Sequence, residues 1–378
     1  MYIRCLIVAL PLLAAMSLRG QVVVLVEAMP QGTAPDSLFL ATDANCWSPC
    51  SPAFRLVPDA LGRPSLTLPI GPSDTVRFRV CRGRWRAVEC RPDGTDAPRR
   101  MVVPGTDTVR LRVEAWRDAI PQKQLASTAL KSVRFAPRQL EMPQLGKHRS
   151  VRVYFPPNYF NGRAFPVIYM HDAQRLFDNA TSPSRAEWRV DELMDALYYS
   201  RGFSAIVVGI YADEKERTRE LTPWPNDSLG IDGQGDAYAR FVVKTLKPFV
   251  DGHYRSDPRR ERTAIIGAEL GGLASVYIAQ QHPEVFGLVG AIAPAIEPCP
   301  KARDFQAKLK PSKRPQRVYL AVGEGQPHRQ CTEALHSQMQ SAGFADLRLN
   351  LCPHGQPEEW YYGEEFERAV RFLFGIRE

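Results

Sequence analysis

The chain has 378 residues, of which 44% are hydrophobic and 24% are charged. This ordinary balance excludes an intrinsically disordered chain, and the length favours two domains over one. The formal net charge is +8, but the arginines are scattered rather than gathered on one helix or stripe, so no nucleic-acid partner is expected.

Residues 1–20 are predicted to be a signal peptide. Arg4 precedes an apolar run from Leu6 to Met16, and small residues follow near Ser17–Gly20. The run is too short to span a bilayer, and a secretory signal is removed from the mature chain. A buried N-terminal strand is the alternative. We therefore expect a secreted or periplasmic protein with no integral membrane segment in the mature chain.

Residues 21–116 are predicted to form a small all-β sandwich. Short apolar runs alternate with clusters of Gly, Pro, Asp and Asn, a spacing typical of this architecture. The runs are Val22–Val26, Ser37–Leu40, Ser65–Leu68, Thr75–Val80 and Val109–Val113. Residues 117–138 show no period and are predicted to be a linker.

Cysteines are dense in the predicted sandwich. Export permits disulfides, and four cysteines allow three connectivities. Spacings of three and eight intervening residues with no nearby His fit zinc poorly. We expect all four to be oxidised, with local pairs as the simplest connectivity, and we expect no metal site and no cofactor. These four are Cys46, Cys50, Cys81 and Cys90, and an odd set of Cys299, Cys331 and Cys352 follows.

Residues 139–378 are predicted to form a mostly parallel α/β sheet, because strands alternate with longer helical patterns after Arg149–Phe155. The predicted strands are Pro166–Met170, Ala205–Ile210 and Thr263–Gly267, and the predicted helices are Trp188–Leu197 and Asp236–Val250.

The third of these strands runs into a sequence that resembles a nucleophile elbow. Gly267 and Gly271 permit the tight strand-to-helix turn that lifts a nucleophile clear of the sheet. Glu269 stands where a serine is expected. A carboxylate is a weak nucleophile toward carboxylic esters, so the turn is kept while the expected chemistry is lost.

The C-terminal region resembles the putative esterase family of α/β-hydrolases, which contains esterase D-like and enterochelin esterase-like proteins. The likeness runs from about Met142 to Phe374 and lies in residues 142–145, 153–157, 170–178, 220–224, 235–241, 265–273 and 282–287. It implies an elbow serine that attacks an ester, a His that activates the serine, an acid that orients the His, and backbone donors for the oxyanion.

Carried onto this chain, the resemblance places Glu269 at the nucleophile position and Ala173 and Leu270 in the oxyanion loop. Ala173 stands where relatives usually have Gly, so it is strained if that position needs a positive φ. Relatives carry the catalytic His five residues before a Trp, but Gly355 occupies that place before Trp360. His354, one residue earlier, is the candidate base.

Glu324, in the loop after the predicted strand 318–322, is the candidate acid, and an exposed loop carboxylate is its alternative. Ser275 is expected to face the sheet and not to replace the nucleophile. The resemblance also supplies pocket candidates, for which structural roles in long loops are equally plausible. They are Asp172, Arg217, Glu220, Trp224 and Asp236.

The N-terminal region resembles a starch-binding type of carbohydrate-binding module, from residues 38–40 through 45–49 to 78–94. In such modules exposed Trp rings stack on sugars. Trp47 and Trp85 occupy the corresponding places, so they are the glycan-binding candidates. The alternative is that both are core or turn aromatics and that the domain is a spacer.

Three functional hypotheses follow. The first is an exported, catalytically degraded pseudo-esterase that acts as a binding or scaffolding protein. It is suggested because the nucleophile position, the oxyanion loop and the His position all differ from the family pattern. The second is an active carboxylic ester hydrolase with a rearranged site. The third is a hydrolase that uses Glu269 as a carboxylate nucleophile. A glycan or a small ester-like ligand is the expected partner.

Overall fold

The computed structural model describes residues 20–34, 38–42, 49–70, 76–95, 97, 100–102, 108–121, 125–226, 230–296, 300–314, 316–324, 326, 328–353, 355 and 357–377. The predicted signal peptide lies outside the described residues except for Gly20, where the first strand begins. None of the helices within the described ranges is both long enough and apolar enough to cross a membrane.

The N-terminal region is all-β. Its strands pair into a four-stranded sheet, β3-β4-β1-β8, a three-stranded sheet, β2-β5-β7, and a two-stranded sheet, β6-β9. Val24 of the first sheet and Phe78 of the second are fully buried in one cluster, as in two packed layers. The strands are β1 (Gly20–Ala28), β2 (Phe39–Thr42), β3 (Val57–Pro58), β4 (Pro64–Ile70), β5 (Val76–Cys81), β6 (Glu89–Cys90), β7 (Arg100–Val102), β8 (Thr108–Arg112) and β9 (Ala115–Trp116).

An eight-stranded sheet organises the C-terminal region in the order β10-β13-β15-β14-β16-β17-β18-β19. β13 is antiparallel to β10 and β15, and the remaining pairs are parallel. These strands are β10 (Val133–Phe135), β13 (Val151–Tyr154), β14 (Val167–His171), β15 (Ile206–Ile210), β16 (Thr263–Ala268), β17 (Leu288–Ile292), β18 (Arg317–Gly323) and β19 (Asp346–Cys352), and β11 (Leu140–Met142) and β12 (Lys147–Arg149) form a separate hairpin.

Helices cover both faces of this sheet. Adjacent residues of β16 point to opposite faces, so Ile265 joins one buried cluster and Ile266 joins the other. The helices are α1 (Val190–Arg201), α2 (Arg217–Leu221), α3 (Gly235–Phe241), α4 (Lys247–His253), α5 (Leu270–Gln281), α6 (Pro300–Ala307), α7 (Arg329–Ser341) and α8 (Glu359–Phe374), with a π-helical segment Val242–Leu246 between α3 and α4.

The predicted fold class is confirmed: a mostly parallel α/β-hydrolase sheet preceded by a small all-β sandwich. One local expectation is wrong. Val133–Phe135 was assigned to the linker, yet it pairs antiparallel with β13 at the edge of the large sheet. A three-residue edge strand carries too short a pattern to be recognised in the sequence.

The two regions share a buried interface. Ala41, Cys81 and Val88 of the β region lie in the same apolar cluster as Tyr361 and Leu197 of the hydrolase region. Because apolar side chains of both regions are buried in this one cluster, the hydrophobic effect stabilises the contact between the two regions. The β region therefore packs against the face of the sheet that carries α1 and α8.

The predicted disulfide between Cys81 and Cys90 is absent. The thiol of Cys81 is fully buried and donates to the carbonyl oxygens of Pro49 and Phe39 at 3.1 and 3.5 Å. No disulfide joins any two of the described cysteines. Cys46 lies outside the described residues, so the predicted Cys46–Cys50 pair remains a prediction.

Candidate active site

The elbow has the backbone geometry that the sequence predicts. Glu269 lies between β16 and α5 with φ 52° and ψ −118°, a strained conformation for a residue with a side chain. A Cβ atom on Gly267 would lie 2.4 Å from the carbonyl carbon and oxygen of Gly271. Only glycine therefore fits at position 267, as a strand-to-helix turn of this tightness requires.

The side chain of Glu269 is held by a tyrosine from the last helix. Its Oε1 atom accepts a hydrogen bond of 2.8 Å from the hydroxyl of Tyr362, and the Glu269 side chain is partly exposed. Burial and then the negative charge of Glu269 raise the pKa of Tyr362 well above its ordinary value, so this hydroxyl keeps its proton. Tyr362 is the one described residue that hydrogen-bonds to this carboxylate.

An ion pair lies beside the elbow. Nε and a terminal nitrogen of Arg217 donate to the two carboxylate oxygens of Asp172 at 2.7 and 2.8 Å. Burial opposes the charge of Asp172, but the bonds to Arg217 hold the pKa of Asp172 below its ordinary value. Burial by itself lowers the pKa of Arg217. The hydrogen bonds and charge of Asp172, and more weakly the charge of Glu269, outweigh burial and hold this pKa above its ordinary value. Two of the five pocket candidates therefore form one unit.

The positive φ that would strain Ala173 does not occur at that residue. The positive φ in this loop belongs to Asp172, at 60°, and Ala173 begins a 3-10 turn, Ala173–Arg175, with no positive φ of its own. An aspartate tolerates the left-handed region better than most residues. A methyl group is therefore acceptable at position 173, where it packs against the backbone of Gly209.

Leu270, the other residue expected in the oxyanion loop, occupies the first position of α5. Amide groups in the first turn of a helix have no intrahelical acceptor, so the N–H of Leu270 is available to an incoming oxygen. Glu269 places a carboxylate on the residue immediately before it. That charge opposes the accumulation of negative charge that such donors stabilise in acyl transfer.

A buried imidazole packs against the elbow. The Cδ2 atom of His171 would lie 2.9 Å from a Cβ on Gly267, and Nδ1 lies 2.8 Å from the hydroxyl of Tyr238. Burial lowers the pKa of His171 to about 4; the charge of Asp172 opposes this shift and that of Arg217 adds to it. His171 is therefore neutral at pH 7.

The expected His loop leaves no room for an imidazole at position 355. A Cβ atom on Gly355 would lie 2.6 Å from the ring of Tyr361 and 2.7 Å from the Cα of Gly323. Contacts under 3 Å require the surrounding atoms to move, and two of the obstacles are backbone and a fully buried ring. His354, the candidate base, lies outside the described residues.

The candidate acid is not held in the site. Glu324 is exposed, whereas Gln326 in the same loop is buried and accepts a 3.3 Å hydrogen bond from the N–H of Gly323. No described residue bonds to the carboxylate of Glu324. The alternative given for Glu324, an exposed loop carboxylate, is therefore the one that the structure favours.

The three remaining pocket candidates lie in other environments. Glu220 is buried in a salt bridge with Arg149, at 2.7 Å. Trp224 is buried with Phe305, at 5.4 Å between ring centroids. Asp236 is exposed and pairs with Arg240 one turn along α3. Each of them therefore has a structural partner of its own, which is the alternative that the sequence left open, and their expected roles in a substrate pocket stay a prediction.

Ser275 behaves as expected. It is fully buried, and its hydroxyl donates to the carbonyl of Gly271 at 2.8 Å, four residues earlier in α5. A buried serine bonded back to its own helix cannot reach a substrate. Ser275 therefore offers no hydroxyl nucleophile to the elbow.

Two residues of the site were missed in the sequence. Tyr362 lies in the first turn of α8. Because α8 begins directly after the loop that follows β19, helical periodicity could have placed Tyr362 near that loop. His171 ends β14, and polar residues at the carboxyl ends of parallel strands are site candidates in α/β folds.

The glycan-binding candidates are untested, because Trp47 lies outside the described residues and only the backbone of Trp85 is described, in a 3-10 turn.

Comparison with known proteins places this site in a family context. Residues 143–366, more than half of the chain, match the family described as Putative esterase. The uncharacterized protein YbbA of Bacillus subtilis is 25% identical over 246 residues, which cover 60% of this chain and 93% of YbbA. The ferri-bacillibactin esterase BesA of the same organism is 27% identical over 218 residues, which cover 50% of this chain and 71% of BesA.

Among solved structures, the enterobactin esterase FES from Shigella flexneri in the presence of enterobactin has a TM-score of 0.55 and 14% identity. The match covers 90% of this chain and 88% of that chain. At this identity the likeness shows the fold alone. It extends over the β region as well as the hydrolase region.

Proposed function

Since this chain belongs to the Putative esterase family, we propose that it is an exported pseudo-esterase, a protein that keeps the α/β-hydrolase fold and binds a ligand without hydrolysing carboxylic esters. The observation that carries the proposal is Glu269 at the elbow, with its carboxylate hydrogen-bonded to Tyr362. Loss of the nucleophile from a triad hydrolase costs a factor of about 10⁶ in kcat.

The packing at the far side of the elbow supports the same proposal. A triad requires an imidazole that reaches the nucleophile and an acid that orients the imidazole. Position 355 has no space for a side chain, and the carboxylate of Glu324 is exposed. Glu269 at the elbow, a packed glycine at position 355 and an exposed Glu324 together support a change of function better than a single altered residue would.

The charge of the site defines a ligand class. The second carboxylate oxygen of Glu269 has no hydrogen-bond partner among the described residues, and Arg217 is already engaged by Asp172. An anionic group would be repelled by Glu269, whereas a hydroxyl or an ammonium group could donate to it. We expect a neutral or cationic ligand. BesA is by its name an esterase of ferri-bacillibactin, and a ligand related to siderophores fits only if it offers such donors.

The experiment is an esterase assay on the purified mature chain with 4-nitrophenyl acetate and butyrate. The expected result is release of 4-nitrophenol at the rate of buffer alone. Glu269→Gln, which keeps the shape and removes the charge, and Glu269→Ala are assayed beside it. Enzyme-dependent turnover that survives in Glu269→Ala would instead support a rearranged hydrolase.

The retained backbone strain at Glu269 favours one second candidate, a hydrolase with a carboxylate nucleophile. A φ of 52° in a non-glycine residue persists where surrounding structure maintains it, often at functional sites. In such a reaction a Glu269 oxygen would displace a leaving group, and water would then cleave the resulting ester at its carbonyl carbon. Hydrolysis of a haloalkane or epoxide in H₂¹⁸O would leave one ¹⁸O atom in Glu269, detectable by peptide mass spectrometry.

A further inference from the structure

Three carboxylates converge at the start of α1, away from the elbow. Glu187, Asp191 and Glu192 each place a carboxylate oxygen within 4.8 Å of the other two. Glu187 is 5% exposed and Asp191 is fully buried. Sequence spacing did not predict a metal site here, because two acidic residues in the first turn of a helix are common for electrostatic reasons alone.

One oxygen of Asp191 has a donor and the other does not. Oδ2 accepts the backbone N–H of Leu130 at 2.8 Å. Oδ1 is buried and has no hydrogen-bond donor among the described residues, and the same is true of Oε2 of Glu192. The guanidinium of Arg189 lies 3.7 Å from the other oxygen of Glu192. Asp191 and Glu192 therefore each bring one buried oxygen without a donor to a cluster of three carboxylates.

Such an arrangement needs a positive charge or a proton between the carboxylates. Isolated carboxylates are costly to bury, and two that share a site repel each other. A shared proton would satisfy two oxygens at most, whereas a cation can be bound by all three carboxylates.

We propose that Glu187, Asp191 and Glu192 form a calcium-binding site. Carboxylate oxygens without nitrogen or sulfur ligands favour a hard cation. Calcium fits better than magnesium, because two of the three ligands are buried and magnesium retains several water molecules.

The site is attached to the segment that connects the two regions of the protein. The hydroxyl of Thr128 donates to Glu187 at 2.5 Å, and Leu130 donates to Asp191. Residues 127–130 follow the β region and lead into β10. Calcium would neutralise the carboxylates that hold this segment and would so stabilise the attachment of the connection to α1. Binding to the folded state alone raises the apparent stability of the whole chain.

The experiment uses the full mature chain after treatment with a chelator. Thermal unfolding and isothermal titration are measured with CaCl₂ alone and, separately, with MgCl₂ alone. We expect one calcium ion per chain, a rise of several degrees in Tm at a saturating concentration, and a smaller rise with magnesium.

Asp191→Asn is the test variant. Its side-chain oxygen can still accept the N–H of Leu130, and its amide can donate to Glu192, so the fold is retained while one anionic ligand is lost. The matched control is Glu284→Gln, which removes a charge from an exposed glutamate outside the cluster. We expect Asp191→Asn to lose the calcium response and Glu284→Gln to keep it. Glu192→Gln, at a partly exposed position, repeats the test if Asp191→Asn does not fold.

Several outcomes would overturn the proposal. An unchanged Tm of the native chain in CaCl₂, together with a more stable Asp191→Asn, would assign a shared proton to the cluster. An undiminished calcium response in both cluster variants would place the ion elsewhere. An equal or larger response to MgCl₂ would contradict the assignment to calcium.

Discussion

The backbones of Gly323 and Gly355 pack directly against each other at the carboxyl ends of β18 and β19. A Cβ atom on Gly323 would lie 2.1 Å from the carbonyl oxygen of Gly355. The loop that carries position 355 therefore crosses the end of β18 at a distance that no side chain permits. This contact occupies the place where the resemblance implies an imidazole near the nucleophile.

The first prediction concerns this contact. Gly355→Ala should destabilise the protein by about 1–3 kcal/mol, because its methyl group would overlap the ring of Tyr361 and the backbone of Gly323. Urea unfolding measures the change. Gly252→Ala is the control, since a Cβ there meets nothing within 4 Å and lies in α4; it should be neutral or stabilising by about 0.5–1 kcal/mol. Equal effects of the two substitutions would contradict the packing described here.

The second prediction is that Glu269→Ser alone restores no esterase activity. A serine would have the elbow but no base at position 355 and no oriented acid, and triad residues act as a unit. Release of 4-nitrophenol should remain at the rate of buffer. If Glu269→Ser were a competent esterase, an imidazole must reach the elbow, and the reading of the His loop would be wrong.

The third prediction concerns the ion pair beside the elbow. Asp172→Asn should cost about 2–3 kcal/mol, below the range for fully buried pairs because the Arg217 side chain is 17% exposed. Asparagine suits the positive φ at this position, so backbone strain does not contribute. Asp236→Asn, which breaks an exposed pair in α3, should cost under about 0.5 kcal/mol. Chemical denaturation of both variants distinguishes the two environments.

The fourth prediction is a loss of stability at acidic pH through His171. Its pKa is about 4 in the folded protein against an ordinary value of 6.5. Between these values the unfolded chain binds a proton that the folded chain does not, so the stabilisation is complete above pH 6.5 and is lost as the pH falls toward 4.

At pH 5 the free energy of unfolding is lower than at pH 7.5 by about 2 kcal/mol through His171 alone. Urea unfolding at pH 7.5 and pH 5 should therefore show a smaller difference in His171→Gln than in the native chain. The groups that face the imidazole, Tyr238, Asp172 and Arg217, are unchanged in that variant. The same pH dependence in both proteins would show that other groups cause it.

The fifth prediction is that Cys81 is a protected thiol. It is fully buried, and burial raises its pKa, so both access and thiolate formation are suppressed. Without reductant, a maleimide should label Cys81 only after unfolding, as measured by peptide mass spectrometry. Failure to label it in denaturant before reduction would restore the disulfide that the sequence led us to expect.

Several features could be predicted from the sequence because their signals are local. Alternation of strand and helix patterns identified β14, α1, β15 and β16 within a few residues, and the turn formed by Gly267 and Gly271 identified the elbow. The partners of the pocket candidates could not be predicted in this way. Glu220 pairs with Arg149, Trp224 packs against Phe305 and Asp236 pairs with Arg240, and only the tertiary structure shows these contacts.

The sequence by itself determined the fold class, the strand-to-helix turn and the presence of Glu269 at that turn, since periodicity and glycine spacing act over a few residues. Only the tertiary structure decided which side chains meet Glu269 and what space remains around it. Tyr362 is 93 residues away along the chain, and Gly355 contacts Gly323 across two parallel strands. Such contacts depend on the order of strands in the sheet and on the packing of α8 against it, which no short stretch of sequence encodes.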